Sequence, residues 1–346
     1  MNSTSSRIQY FDYLRIAAVF SVILLHIQAV HIWEHIGTPV FFVYDFFNSI
    51  TRWCVPIFVM ISGALFLDPE RDIQIGRLHK KNLLRIITAF AFWSSLYALV
   101  DYIEGMRLRD AVFNIARGHY HLWYLLMLAG LYLVVPILRK VTESKKLTEY
   151  FLILWFILVL CLRTIIYLAG FLGHSFSDLF SDISDKLNFC VAGGYSGYFV
   201  IGYWLNHYEI SKRNRILIYC LGLAGLIATF VLPLSYYNLK GNPTINFNEN
   251  LTVNVFFLSV AVFVFFKYNI NNLRTNIIVS TLSECSFGIY LVHLLILEFF
   301  ERHLGFDSDS FWPGASIPVL AISVFLISFI NTFILRKIPF LNKYIV

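Results

Sequence analysis

Charge is what this sequence has least of: only 14% of its 346 residues are Asp, Glu, Lys or Arg. A soluble domain carries roughly 25%, so a water-facing globule is excluded. Cysteine is also sparse. Cys54, Cys161, Cys190, Cys220 and Cys285 all fall inside apolar runs with no CxxC pair, which excludes a disulfide framework or a thiolate metal site and leaves small packing residues. Long polar stretches are missing too. Every gap between apolar runs is shorter than about 20 residues, too little for an independent core, so one domain, 1–346, is expected. We find no internal repeat and no low-complexity tract. The net charge of +6 is no nucleic-acid signature, because the basic residues sit in short loops, and no nucleic-acid partner is expected.

What the chain does have is apolar surface: 58% hydrophobic residues, with 34 Phe, 20 Tyr and 7 Trp, rings that suit lipid contact and the two interfacial belts. A spanning helix needs about 20 mostly apolar residues. Runs of that kind lie at 10–31, 40–66, 83–103, 121–138, 148–170, 189–206, 214–235, 251–268, 278–300 and 314–335. The fold predicted is an all-α polytopic membrane helical bundle of about ten transmembrane helices. The 189–206 run is Gly- and Tyr-rich, and its Gly193, Gly194, Ser196 and Gly197 would let helix backbones approach closely. Arg7 is followed by a long apolar run with no small-residue cleavage site, which argues for a retained first helix. Alternate loops hold 17 basic residues against six; the positive-inside rule then makes both termini cytoplasmic.

Arg15, Arg52, Arg85 and Arg163 lie outside those loops, and an Arg at mid-bilayer costs about 2.5–3.5 kcal/mol on insertion scales. For Arg52 an ion pair with Asp45 is expected, since both fall on one helical face. Arg163 has no obvious partner. Arg15 and His26 are eleven residues apart, about three turns plus 20°, so they share one side of the first helix at about 16 Å along its axis. His121 and His293 are expected at a similar depth, in the outer half. Histidine changes protonation near neutral pH, and acid–base chemistry suits these residues better than a metal, which is not expected. Arg77, Lys80, Lys81 and Arg85 surround the start of the third helix. They read either as flanking charge or as a polyphosphate site at a helix N-terminus.

These residues carry a resemblance. Asp12-Tyr13-Leu14-Arg15-Ile16-Ala17-Ala18 through Leu25-His26 resembles the Arg-x10-His first helix of the membrane-bound acyltransferase 3 family. Val55-Pro56-Ile57-Phe58-Val59-Met60-Ile61-Ser62-Gly63 is similar to its second-helix signature. Lys80-Lys81-Asn82-Leu83-Leu84-Arg85 resembles its basic motif, and His121-Leu122-Trp123-Tyr124-Leu125 with Tyr132 and Pro136 its fourth helix. Ser286-Phe287-Gly288-Ile289-Tyr290-Leu291-Val292-His293 resembles its late Ser-x-x-x-Tyr-x-x-His helix. The matches occur in order over 10–140 and 280–300, and the look is that of the enterobacterial common antigen O-acetyltransferase type. The family's usual Arg-Gly is here Arg15-Ile16, a bulkier step, and no Pro follows Arg85.

The resemblance implies an acyl-coenzyme A-dependent O-acyltransferase of a bacterial cytoplasmic membrane. It would move an acyl group, most often acetyl, to a hydroxyl of a surface glycan or its lipid-linked precursor. Acetyl-coenzyme A would dock at Arg77, Lys80, Lys81 and Arg85 and thread past Arg15. His26 would act as general base or transient acyl carrier, with His121 and His293 assisting. The alternative from another class is a transporter or flippase of a glycan intermediate.

Overall fold

Backbone amides in hydrocarbon have no water to bond with, so a chain of long apolar runs must satisfy them inside helices. The computed structural model describes residues 7–346 apart from 72–75, 77–78, 174–176, 179–180, 182–193, 245 and 275. Every regular element among the described residues is helical. Nine segments of the described residues are long and apolar enough to cross a membrane, against about ten expected. The difference is the Gly-rich run. Its residues 189–193 lie outside the described residues, and the helix after them, Ser196–His207, has 12 residues, too few to cross hydrocarbon alone at 1.5 Å per residue.

Helix α1 (Gln9–His31) is central. The second run is not one helix but two, α2 (Pro39–Thr51) and α3 (Cys54–Phe66). Pro56 has no N–H to offer the Arg52 carbonyl one turn earlier, and the axis breaks at Arg52 and Trp53. Next come α4 (Leu84–Ile103), the short amphipathic α5 (Leu108–Arg117) and α6 (Trp123–Thr142). They are followed by α7 (Lys145–Trp155) and α8 (Leu162–Leu172), joined through a π-turn. The short helix Ser196–His207 is α9, and α10 (Lys212–Lys240) packs along α11 (Val253–Phe265). Last are α12 (Ile277–Leu304), α13 (Pro313–Leu335) and α14 (Pro339–Tyr344). Helix α1 packs on α2, α3, α12 and α13, so its apolar residues Leu14, Val19, Ile23 and Ile27 are fully buried. Leu126, Leu133 and Ile137 on α6, and Ile322, Leu326 and Ile330 on α13, stay exposed, as lipid-facing stripes should.

Two cations near helix ends act as clamps. Arg139 donates to the carbonyls of Phe66 (3.2 Å), Asp68 (2.8 Å), Pro69 (3.4 Å) and Arg71 (2.8 Å), satisfying the end of α3 and the turn after it. Lys267 does the same for Leu205 (3.0 Å), Asn206 (3.2 Å) and Tyr208 (2.9 Å) at the end of α9. A cation suits that position, where carbonyls lack intrahelical partners.

Two corrections concern arginines within the apolar runs. Arg52 forms no ion pair with Asp45; its guanidinium donates to the Asn48 side chain, which also accepts from Gln28 (3.0 Å). Asn48 lies one turn from Arg52 on the same face and intercepts it, whereas Asp45 is two turns away. Arg163 does have a partner, Glu249 (2.9 Å), which also accepts from the Tyr167 hydroxyl (2.7 Å). The described cysteines are free thiols, with Cys54 and Cys285 buried.

Contact between α3 and α9 is backbone on backbone. A Cβ at Gly63 would strike the Phe199 carbonyl, and one at Gly202 the Met60 carbonyl. Gly202→Val should therefore lower stability by about 1–3 kcal/mol, the usual range for overpacking. Gly130→Ala, at a position where a Cβ meets nothing, should leave it unchanged. Thermal unfolding of detergent-solubilised protein checks the contrast.

Candidate active site

Two helices supply most of the site. On α12 the residues Ser283, Ser286, Phe287, Tyr290 and His293 recur every three or four positions, so they share one face. On α1, Arg15, Val22 and His26, spaced seven and then four positions apart, also share a face. These faces, with α3, α4 and α6, enclose a cavity of about 360 Å³. At one end it is bounded by Asn82, Arg85 and Glu284, towards the end of the bundle where α1 and α12 begin. Arg15, Ser62, Tyr124 and Tyr132 line its flanks, and Val22, Val55 and Tyr290 also line it. Arg15 is steadied by Asp12 (3.8 Å), a buried carboxylate that also pairs with Arg7 (2.6 Å) and accepts from Ser283 (2.7 Å). Arg85 lies over the Phe287 ring, 5.1 Å from its centroid, and donates to the Val346 carbonyl.

Beyond Val22 and Tyr290, one turn further along their helices, stand His26 and His293. Their rings stack at 5.1 Å with His26 Nδ1 2.9 Å from His293 Nε2. The tautomers are set by the next bond. His293 Nδ1 lies 2.6 Å from the Tyr290 carbonyl, which can only accept, so Nδ1 carries the hydrogen. In the neutral ring His293 Nε2 is then an acceptor, and His26 Nδ1 must donate to it. The lone pair of neutral His26 is thereby assigned to Nε2. His293 is fixed in turn by Tyr97, whose hydroxyl donates to the Leu291 carbonyl (2.9 Å) and accepts from the Leu295 N–H (3.3 Å) on either side of it.

His121 joins this pair, its ring 5.5 Å from His293 and 6.4 Å from His26. Its carbonyl accepts from the Tyr290 hydroxyl. Its Nδ1 lies 3.0 Å from His119 Nδ1, and His119 Nε2 lies 3.2 Å from Glu298. Donation runs outward from His121: its Nδ1 donates to His119 Nδ1, and His119 Nε2 donates to Glu298. The His121 Nε2 lone pair is buried without a hydrogen-bond partner among the described residues.

Sequence-expected residues divide three ways. Arg15, His26, His121, His293 and Arg85 are gathered on the cavity or just beyond it. Lys80 and Lys81 are exposed and lie outside the cavity lining. Arg77 lies outside the described residues. Asp12, Tyr97, His119 and Glu298 were not anticipated. His119, two positions before His121, was the visible cue; Glu298 comes from a helix that only folding brings close.

The sequence profile of the Acyltransferase domain family, acyltransferase 3, matches residues 8–336. The chain belongs to the acyltransferase 3 family. No curated protein and no solved structure was found to match it. The match covers all nine candidate spans, so the cavity and its histidines fall within the acyltransferase domain. It identifies the family as a whole and distinguishes no type within it.

For this acyltransferase domain the tautomer assignment is open to direct measurement. In ¹⁵N-histidine NMR spectra, His26 should show a protonated Nδ1 and a bare Nε2. His293→Ala should abolish that preference, because the acceptor for Nδ1–H is gone. A His26 ring protonated at Nε2 in the unsubstituted protein would contradict the hydrogen-bond order described above.

Proposed function

We propose that this chain transfers an acyl group, acetyl being the expected one, from acyl-coenzyme A to a hydroxyl of a cell-surface glycan or its lipid-linked precursor. The enterobacterial common antigen type of acceptor is the working choice. The setting would be a bacterial cytoplasmic membrane with both termini in the cytoplasm, the side favoured by the basic loops. One observation carries this reading. A cavity walled by Arg15 and Arg85 leads from the end of the bundle where α1 and α12 begin to Val22 and Tyr290, one turn short of the His26–His293 pair.

The residues divide the work by charge. Arg85, from the cavity wall, and Lys80 and Lys81, from the exposed surface beside it, attract the donor's phosphates. The uncharged arm of the donor runs past Arg15, along the wall formed by Ser62 and Tyr132. At its end His26 Nε2 takes the proton of the acceptor hydroxyl as that oxygen attacks the thioester carbonyl. The C–S bond breaks as the ester C–O bond forms, and the proton passes from His26 to the departing thiolate, so the ring returns to its starting state. His293 holds the His26 tautomer throughout and shares its transient positive charge, with the Tyr290 carbonyl behind it. Family membership favours acyl transfer over the transporter reading.

His26→Ala should lower turnover of acetyl-coenzyme A in proteoliposomes by about 10²–10⁴-fold, the usual cost of a positioned base. The detergent-extracted yield should hold, because the helix becomes more apolar. Arg85→Ala should act differently, raising the donor KM with a salt dependence weaker than that of the unsubstituted protein. Retention of more than about a tenth of turnover by His26→Ala, well above that range, would remove His26 from the mechanism. A donor affinity indifferent to Arg85 and to salt would remove the phosphate role.

A further inference from the structure

A second cluster of ligating side chains stands at the opposite end of α1 from Arg15. Helix α1 ends at His31 and the chain continues through turns, with the Glu34 N–H on the His31 carbonyl (3.0 Å) and the Thr38 N–H on the His35 carbonyl (2.9 Å). This fold-back sets His31 Nδ1 3.2 Å from Glu34 Oε2. The loop between α12 and α13 brings in Asp309, whose Oδ2 is 3.9 Å from His31 Nδ1. The three donor atoms lie within 4.8 Å of one another, and among the described residues this is the one group with metal-ligand geometry.

We propose that His31, Glu34 and Asp309 bind a divalent transition-metal ion of the zinc type, which clips the end of α1 to the loop between α12 and α13. Three features of the cluster support this. The donor set, one imidazole nitrogen and two carboxylate oxygens, is of the kind zinc takes, with two negative charges to balance the ion. Tetrahedral zinc at about 2.0–2.1 Å from its ligands separates them by about 3.3 Å; His31 Nδ1 already stands 3.2 Å from Glu34, and Asp309, at 3.9 Å, would close in by about half an ångström. Asp309 is also held from behind. His35 Nε2 donates to both of its oxygens (2.9 and 2.8 Å) and the Tyr44 hydroxyl to Oδ1 (2.7 Å), while the His35 ring stacks on Tyr44 at 5.0 Å. Hydrogen bonding of a ligating carboxylate from outside the coordination sphere is a regular feature of metal sites.

The site departs from the sequence reading, which expected no metal; the spacing His31-Ile32-Trp33-Glu34-His35 was the signal passed over. Its position gives it a purpose. His26 lies on α1 shortly before His31, and His293 on α12 ahead of Asp309, so the ion would tie together the two helices whose histidines must stay in contact.

The test uses full-length protein in detergent, purified without a polyhistidine tag, stripped with chelator and titrated with Zn²⁺. Calorimetry and elemental analysis should show one zinc ion per chain and a raised melting temperature. Glu34→Gln and Asp309→Asn should each weaken zinc binding at least about tenfold, and Glu34→Gln should leave the melting of the metal-free protein unchanged. Because the Glu34 side chain is 65% exposed, its replacement carries little folding risk. His26→Ala should bind zinc normally, which separates this site from the proposed catalytic one whatever the fate of the acyltransferase reading. No zinc uptake, uptake unaffected by Glu34→Gln and Asp309→Asn, uptake lost in His26→Ala, or binding of Ca²⁺ as tight as that of Zn²⁺ would each overturn the proposal.

Discussion

The constraint on which this structure depends is that a polar group placed in hydrocarbon needs a partner from the protein. Helices close the backbone bonds, and many polar side chains are matched within or between helices: Asp12 with Arg7, Arg15 and Ser283, Asn48 with Gln28 and Arg52, Glu249 with Arg163 and Tyr167. The His26–His293 bond is the most consequential of these pairings. It crosses between α1 and α12, the first and penultimate spans, and fixes which nitrogen of His26 is free. The Tyr290 carbonyl that directs it is a backbone atom of the same helix that supplies Tyr290 to the cavity wall. The tautomer of His26 and a tie between α1 and α12 thus rest on one contact.

A second theme is the use of cations as structural ties. Positive residues near helix ends are read from sequence as orientation signals, and for transport across a membrane during synthesis that is their first role. In the folded protein Arg139 and Lys267 also satisfy carbonyls at the ends of α3 and α9, and Arg336 meets Glu284 at 3.0 Å where α13 ends beside α12. Lys80 and Lys81, by contrast, remain exposed, leaving their charge free for a ligand.

How much of this could be read from the chain depended on the range of the interaction. Helical periodicity placed Arg15 and His26 on one stripe, because 3.6 residues per turn is a local rule. Local spacing misled at Arg52, where Asp45 and Asn48 share the face and only packing against Gln28 showed which one is used. It also missed Pro56 as the cause of a helix break inside a continuous apolar run. The partners of His119, Arg163 and Asp309 come from other helices or loops, and no periodicity reports such pairs. Of the basic motif, Arg85 reaches the cavity while Lys80 and Lys81 do not, a distinction set by which way a helix face turns.

We propose that an acyl donor lies in the cavity beside Arg15 and Arg85, with its reacting carbon where a hydroxyl bonded to His26 Nε2 can attack it. Electron cryo-microscopy of the protein with a non-hydrolysable thioether analogue of acetyl-coenzyme A tests it most directly. The expected result is density for the nucleotide at Arg85, a continuous arm along Arg15, and the sulfur end beside the His26–His293 pair. Density for the analogue elsewhere, with this cavity collapsed or filled by lipid, would contradict it.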